Sequence, residues 1–197
     1  SSSGIFIETA WTGNPDPEND LFDFYADNIS AILQPMVLDP VEPGENDYNG
    51  SNLKLEWQWN HNPNNNNWSL TEREGYLRLT TGDVVSDFTQ ARNTLTQRTY
   101  GPTCSGDIAI ETANMKNGDI AGLGALQANY GYVGVKMADG QKSIVMVNAD
   151  GGEAIEVESI PIDQDRVYLR TDFNFYQHAD DADFYYSLDG TTWNKIG

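Results

Sequence analysis

The sequence predicts an all-β fold, a two-sheet antiparallel β-sandwich. Short segments rich in β-branched and aromatic residues recur at roughly ten-residue spacing after Trp68, which is typical of sandwiches. Turn dipeptides separate several of these segments, among them Asp139-Gly140, Asp150-Gly151 and Asp189-Gly190, and hairpin turns favour such pairs because they tolerate positive φ. Helical periodicity never lasts beyond about two turns, and the best helical candidate, residues 86–93, is short.

The N-terminal part of the chain contains two predicted strands, residues 4–9 and 21–32, joined by a loop rich in Pro, Asp and Asn. This loop carries three candidate calcium ligands, Asp16, Glu18 and Asp20. They lack the EF-hand spacing. The sequence therefore favours an unliganded turn, with structural calcium as the alternative, and we expect no other cofactor.

Residues 35–50 are rich in Pro, Gly and acidic residues, a composition typical of a linker. The predicted division is thus an N-terminal strand pair at 1–34, a linker at 35–50 and a sandwich module at 51–197. The chain begins at Ser1 without Met, and we expect it to be a mature or excised piece of a longer protein.

Residues 53–60 alternate between apolar and polar side chains, the period-two pattern of a half-buried strand. One predicted face holds Leu53, Leu55, Trp57 and Trp59. We interpret both tryptophans as core residues because they share this face with leucines. The opposite face presents Gln58 and Asn60, whose amides suit sugar hydroxyls and lose less on desolvation than carboxylates. The four asparagines, 64–67, predict a turn, because asparagine tolerates left-handed backbone and side-chain-to-backbone hydrogen bonds.

The remaining predicted strands follow in order to the C-terminus. They cover residues 76–80, 95–100, 108–113, 121–127, 133–137, 143–148, 154–159, 166–172 and 183–188. The last of them enters a hairpin that ends at Trp193, which we interpret as a packing residue. Two such sheets packed face to face leave one polar surface or one loop end for binding.

Several side chains off the predicted core are candidate ligand contacts. A basic segment supplies Arg92, Asn93 and Gln97, and an arginine can bind two adjacent hydroxyls with its planar fork. Ion pairing with the surrounding acids is the equally supported alternative for Arg92. Later segments supply amide and aromatic groups at Gln127, Tyr130 and Tyr132, and predicted outward-facing Tyr168 and Arg170.

Composition excludes several classes of function. Thirty acidic and eleven basic residues give a formal net charge of −19, which disfavours nucleic acid and anionic membranes. No apolar run reaches the roughly 20 residues of a membrane span, and the N-terminus lacks signal-peptide features. The single cysteine, Cys104, excludes an internal disulfide. His61 and His178 are spaced neither as metal ligands nor beside a serine nucleophile.

Several blocks of sequence resemble one known module. They are residues 57–63 (WQWNHNP), 68–70 (WSL), 75–79 (GYLRL), 91–98 (ARNTLTQR), 118–123 (GDIAGL) and 130–135 (YGYVGV). In this order they are similar to the concanavalin-A-like module that follows the five-bladed catalytic propeller in many family 43 glycoside hydrolases, mostly β-xylosidases and α-L-arabinofuranosidases. Similar modules are classed as xylan-binding modules of family 91. The resemblance implies a concanavalin-A-like jelly roll from about Asp47 onward.

The resemblance breaks down at the ends of the chain. The family pattern continues for two strands beyond the point where this chain stops, the last with an aromatic and acidic run. Residues 4–10 and 21–25 resemble that missing pair. We therefore hypothesise that residues 1–34 supply the closing strands, as in a circularly permuted module. The alternative is that they end a preceding domain.

Three functions are open from the sequence. The first is a non-catalytic module that binds xylan, xylo-oligosaccharide or arabinoxylan. The second is a structural partner that packs on a family 43 catalytic domain and shapes its active-site rim. The third is a lectin-like glycosidase, which needs two carboxylates about 5 to 10 Å apart, and no recognisable catalytic motif supplies them. We expect no enzyme activity, no nucleic-acid or membrane partner, and a secreted or periplasmic bacterial protein.

Overall fold

The structure is a computed structural model that describes the backbone of residues 4–11, 23–33 and 45–46 and all atoms of residues 50–127 and 129–197. Fifteen strands lie within these ranges. They are β1 (Gly4–Trp11), β2 (Asp23–Leu33), β3 (Glu45–Asn46), β4 (Trp57–Trp59), β5 (Trp68–Ser69), β6 (Leu77–Thr80), β7 (Leu95–Arg98), β8 (Thr103–Glu111), β9 (Asp119–Leu126), β10 (Tyr130–Ala138), β11 (Gln141–Asn148), β12 (Ile155–Ile162), β13 (Arg166–Asn174), β14 (Asp181–Ser187) and β15 (Asn194–Ile196).

The described strands form two antiparallel sheets, which confirms the predicted sandwich. Sheet A has the order β12-β11-β10-β9-β1-β7-β4, and sheet B has the order β15-β14-β13-β8-β2-β6-β5, with β3 paired to β2. Among the described residues, helical structure is limited to three 3-10 turns at Asn65–Asn67, Phe88–Gln90 and Tyr176–His178. The predicted helical candidate at 86–93 is therefore only a single short turn.

The two N-terminal strands lie inside the sheets. β1 pairs with β9 on one side and with β7 on the other, so that Ile7 faces both Leu123 and Leu95. β2 lies between β8 and β6, where Ala26 faces Ile110 and Leu77. Each strand therefore supplies backbone hydrogen bonds to neighbours on both sides. The division at residues 34 and 50 stays a prediction, and Asp16, Glu18 and Asp20 lie outside the described residues.

The core lies between the two sheets. It is formed by every second residue of each strand, whose side chain points inward. Its fully buried members include Leu77, Leu95, Ile110, Leu123 and Leu169. Trp57 is also part of this core, and Trp59 packs against it with its ring 5.2 Å from that of Trp68. The interpretation of both tryptophans as packing residues is confirmed.

Of two local predictions around this strand, one was wrong and the other was confirmed only in part. Leu55 is 99% exposed, because the strand starts only at Trp57 and the preceding residues form a turn. The turn predicted at residues 64–67 is confirmed, with its side-chain-to-backbone hydrogen bond, but residues 65–67 form a 3-10 turn and are not left-handed. The Asn64 side chain accepts a hydrogen bond from the Asn66 N–H at 3.1 Å, and this cap satisfies the turn without positive φ.

All three predicted turns have the expected positive φ at their glycine, which is 102° for Gly151. Asp139 and Gly140 have φ of 51° and 77°, and Gly190 has φ of 78°, as hairpin turns require. The Asp189 carboxylate accepts hydrogen bonds from the N–H groups of Thr191 and Thr192. The Thr192 and Thr191 N–H groups hold the pKa of Asp189 well below its usual range.

Candidate functional site

The outer face of sheet B is a polar surface built on strand β13. Val167, Leu169 and Thr171 point into the core and are fully buried. Arg166, Tyr168 and Arg170 occupy the alternate positions and point outward, as predicted for the last two. We call these three residues, with Arg73, Tyr76, Asp107, Glu111 and Trp193, the arginine–aromatic face.

One half of this face is organised around Glu111. Its carboxylate accepts a bidentate pair of bonds from Arg73, at 2.5 and 3.1 Å, and a third from Arg166 at 3.1 Å. The Arg73 guanidinium lies 3.7 Å from the centre of the Tyr76 ring, and Arg166 also donates to the Tyr76 hydroxyl at 3.1 Å. These bonds fix two planar cations and a phenol in one orientation.

The other half is organised around Arg170. Its guanidinium lies 4.1 Å from the centre of the Trp193 ring, a cation–π contact, and 3.4 Å from an Asp107 oxygen. The Arg170 Nε is buried and has no hydrogen-bond partner among the described residues. Trp193 thus does pack, as the sequence indicates, but it packs on the outside of the sheet. The turn dipeptide Asp189-Gly190 is the sequence signal that could have indicated this position of Trp193, because the hairpin that it forms folds back over β13.

Two tyrosines adjoin these halves. Tyr168 lies between Arg166 and Arg170 on β13, and Tyr185 lies on the neighbouring strand β14. The Tyr168 ring contacts the hairpin at Gly190, where a Cβ would lie 3.0 Å from the Tyr168 Cζ. Tyr185 is the cross-strand neighbour of Arg170. Burial raises the pKa of Tyr185, and the nearby charges of Asp183 and Asp172 add to the effect. Its phenol is therefore protonated at neutral pH and can act as a hydrogen-bond donor.

Flat arginine and aromatic groups on a rigid sheet can contact a polyhydroxyl ligand. Aromatic faces pack against the C–H face of a sugar ring, and guanidinium groups donate to adjacent hydroxyls. The arginines here are about a quarter to two fifths exposed, with Arg170 at 25% and Arg73 at 40%. They are therefore both fixed by the protein and open to a ligand.

The outer face of sheet A differs because a loop covers part of it. Phe88 is buried, with its ring 5.0 Å from Tyr130 and 5.5 Å from Tyr132. The Tyr130 hydroxyl donates to Asp87 at 2.8 Å. Both tyrosines, predicted as ligand contacts, thus pack against the protein's own loop.

The remaining predicted contacts are at three other places. Gln58, Asn60 and Arg92 are exposed at the β4 edge and the adjacent loop. The Asn93 side-chain amide accepts a hydrogen bond from the Asn64 N–H at 2.8 Å and donates one to the Asn64 carbonyl at 3.1 Å. Gln97 lies on the same face of its strand as Leu95, with a buried Oε1, so we no longer propose it as a sugar contact. Gln127 lines a cleft at one end of the sandwich.

Metal and membrane features can be stated for the described residues. Within them, no cluster of three or more His, Cys, Asp or Glu side chains is arranged to hold a metal ion. His61 contacts the Thr89 carbonyl at 2.6 Å, and His178 is exposed. No helix in the described ranges is long and apolar enough to cross a membrane.

Comparison with known proteins places this geometry among glycoside hydrolase modules. Residues 45–197 match the family described as the β-xylosidase C-terminal concanavalin A-like domain. A β-xylosidase of Formosa agariphila is 30% identical over 175 residues, which cover 78% of this chain and 28% of that protein.

Solved structures agree with this match. A bifunctional GH43-CE protein of Bacteroides eggerthii superposes with a TM-score of 0.76 and 51% identity, over 77% of this chain and 20% of that one. A GH43 protein of Bacillus licheniformis superposes with a TM-score of 0.68 and 28% identity, over 77% of this chain and 29% of that one. This chain thus spans less than a third of each of these relatives.

Proposed function

Because the chain belongs to the family of β-xylosidase C-terminal concanavalin A-like domains, we propose that it is a non-catalytic carbohydrate-binding module for xylan or arabinoxylan. It would serve a family 43 glycoside hydrolase as an accessory module. The observation that carries the proposal is the arginine–aromatic face, with Arg166, Tyr168 and Arg170 spaced along β13 and Trp193 beneath Arg170.

The geometry supports a chain-like ligand on this face. Alternate residues of a strand are about 6.6 Å apart, so the three outward side chains of β13 form a row along the strand. A row of this kind can contact successive units of a polysaccharide. The arginines keep their planes because Glu111 and Asp107 hold them, and fixed side chains lose less entropy when a ligand binds.

The first test is isothermal titration of the chain with xylohexaose, arabinoxylan and cellohexaose. We expect saturable heat with the two xylan-type ligands and an affinity loss of at least about tenfold, roughly 1.4 kcal/mol, in Trp193→Ala and Arg170→Ala. Leu188→Ala is the matched control because Leu188 is 45% exposed in the same hairpin. Absence of heat with every ligand would reject the proposal.

Two further variants test the rival location. Gln58→Ala and Arg92→Ala remove exposed groups at the β4 edge, away from β13 in sheet order. We expect both to bind like the wild type. If they weaken binding while Trp193→Ala does not, the binding site lies at the β4 edge.

A second candidate function is structural packing on a family 43 catalytic domain. It is favoured by the coverage of the relatives, since each is more than three times as long as the matched part. Arginine, tyrosine and tryptophan are also the residues that most often dominate protein interfaces. Titration with a family 43 catalytic domain lacking its own module would then give 1:1 binding that Arg170→Ala weakens, without any heat from xylohexaose.

A further inference from the structure

A separate cleft opens at one end of the sandwich, between the two sheets. Its volume is about 380 Å³, within the range typical of small-molecule sites. Sheet A contributes the β9–β10 connection and the end of β11, and sheet B contributes the β13–β14 connection. We call it the end cleft.

The end cleft has an apolar floor. Phe173 and Phe184 are 3% and 4% exposed and form the floor together with Met146. Ala125 and Ala182 also line the cleft. Because their side chains are small, they leave space above the two phenylalanine rings. A Cβ on Gly131 would lie 3.2 Å from the Phe184 Cε2, so the aromatic floor packs directly against this glycine. The bottom of the end cleft is therefore apolar and closely packed.

Phe175 forms one wall of the end cleft. Its ring is nearly parallel to that of Phe173, at 12° and 6.1 Å between centres. The Phe175 N–H donates to the Pro102 carbonyl at 2.7 Å and fixes the wall to the neighbouring loop. A second opening of about 420 Å³ lies on the other side of this wall and shares Phe175 and Asp180 with the first.

The loop that carries this wall has an unusual backbone. Gln177, His178 and Asp180 have φ of 52°, 67° and 57°, and Asp139 is the only other non-glycine residue with positive φ in the described ranges. Each such conformation costs of order 1 kcal/mol or more and is concentrated at functional sites in proteins. The surrounding structure holds this loop in place against that cost.

The rim of the end cleft defines the charge of its ligand. Asp150, Asp180 and Asp181 line it, together with the amide residues Gln127 and Asn129, and no Lys or Arg is among the lining residues that the structure describes. Three carboxylates disfavour an anionic ligand. An aromatic floor and wall with amide and carboxylate acceptors at the rim suit a neutral polyhydroxyl ring.

We propose that the end cleft is a second carbohydrate site, which binds the terminal residue of a neutral glycan. Its location rests on the cleft itself, whereas the choice of sugar as ligand rests partly on the proposed function. The two sites then differ in what they recognise. The arginine–aromatic face contacts the interior of a chain, and the end cleft accepts a chain end and rejects uronic acids.

The experiment is a ¹⁵N–¹H NMR titration of the Trp193→Ala chain with xylobiose, a ligand with two ends and no interior. We expect shifts in the amide signals of Asn129, Gly131, Phe175 and Asp181. Phe175→Ala and Gln127→Ala should each weaken the titration by about threefold or more, and Gln127→Ala is included because its exposed side chain is not needed for folding. Tyr176→Ala is the control in the same loop, since Tyr176 is 61% exposed and is not part of the lining.

The outcomes separate this proposal from the previous one. The end cleft is supported if xylobiose still shifts these amide signals in the Trp193→Ala chain and the shifts become weaker with Phe175→Ala or Gln127→Ala. This holds whether or not the chain binds polysaccharide. Polysaccharide binding that depends on Trp193, with no xylobiose shift at these four amides, overturns the end cleft and leaves the proposed function standing. Glucuronate that shifts the same amides as strongly as xylobiose also overturns it.

Discussion

The outer faces of the two sheets use similar side chains in opposite ways. On sheet A, Tyr130 and Tyr132 point outward but pack against Phe88, which is only 5% exposed. On sheet B, Tyr168 and Trp193 point outward and contact partly exposed arginines. Aromatic residues on a strand therefore do not identify a binding face by themselves. The face that a loop covers contributes stability, and the face that stays open is available to a ligand.

Both faces depend on the N-terminal strands, so the largest expected effect comes from their removal. Deleting residues 1–44 takes β1 from the middle of sheet A and β2 from the middle of sheet B, which exposes unpaired strand edges and the core. We expect residues 45–197 alone to lose cooperative urea unfolding. Adding residues 1–44 as a separate polypeptide should restore it. A sharp transition without that polypeptide would show that the family-matched part folds alone.

The next largest effect is a loss of protein stability when the covered face of sheet A is disrupted. Phe88→Ala removes the ring that lies over Gly124, where a Cβ would approach the Phe88 Cζ to 3.3 Å. We expect the free energy of unfolding to fall by about 3 kcal/mol, as for other buried phenylalanines, with xylohexaose affinity unchanged. Val84→Ala is the control, because Val84 is 45% exposed in the same loop and should change stability by less than about 0.5 kcal/mol.

The converse variant is on sheet B. Arg170→Lys keeps the charge but loses the planar fork and the contact with Trp193. We expect xylohexaose affinity to fall by about tenfold, roughly 1.4 kcal/mol, while the free energy of unfolding falls by about 1 kcal/mol or less. Titration and urea unfolding of the same sample measure both. The prediction fails if Arg170→Lys loses as much stability as affinity, or if it keeps full affinity. Either result would mean that Arg170 on sheet B does not serve binding more than stability.

The smallest expected effect is the pH dependence that Asp87 contributes beside sheet A. Partial burial alone would raise the pKa of Asp87, but hydrogen bonds from the Thr89 hydroxyl and N–H and from the Tyr130 hydroxyl lower the pKa below its usual 3.8. Stability from this carboxylate is therefore present above about pH 4 and is lost as the pH falls through the lowered pKa. Asp87→Asn should be less stable than wild type at pH 6, by under about 1 kcal/mol. Urea unfolding at pH 6 and pH 3 would contradict this if the difference did not shrink.

The sequence was sufficient to predict the sandwich and most of its strands. Alternation and turn dipeptides depend on local chemistry, so β10, β11 and β13 lie within a few residues of their predicted bounds. Leu55 was misplaced because alternation alone does not show where pairing starts. The strand at Trp57 begins where β7 offers a partner, and Leu55 has none there.

The site was less predictable because it combines distant segments. Tyr168 and Arg170 follow from the pattern of a single strand, but Trp193, Glu111 and Arg73 reach the same face only through sheet pairing and the hairpin. Tyr130 and Tyr132 look equally suitable in the sequence. Their coverage by Phe88 depends on a loop from a different part of the chain, which no local pattern encodes.

The central position of β1 and β2 also bears on how the protein is made. A ribosome releases these strands before the rest of the sandwich, yet Ile7 pairs with Leu95 and Leu123 and Ala26 with Ile110, so their partners emerge much later. Until then both strands are unpaired in the nascent chain. Folding dominated by such long-range pairing is slow, and an exposed strand can associate with other chains meanwhile. Yield during synthesis should thus depend on translation rate and on chaperones that bind β1 and β2 until their partner strands emerge.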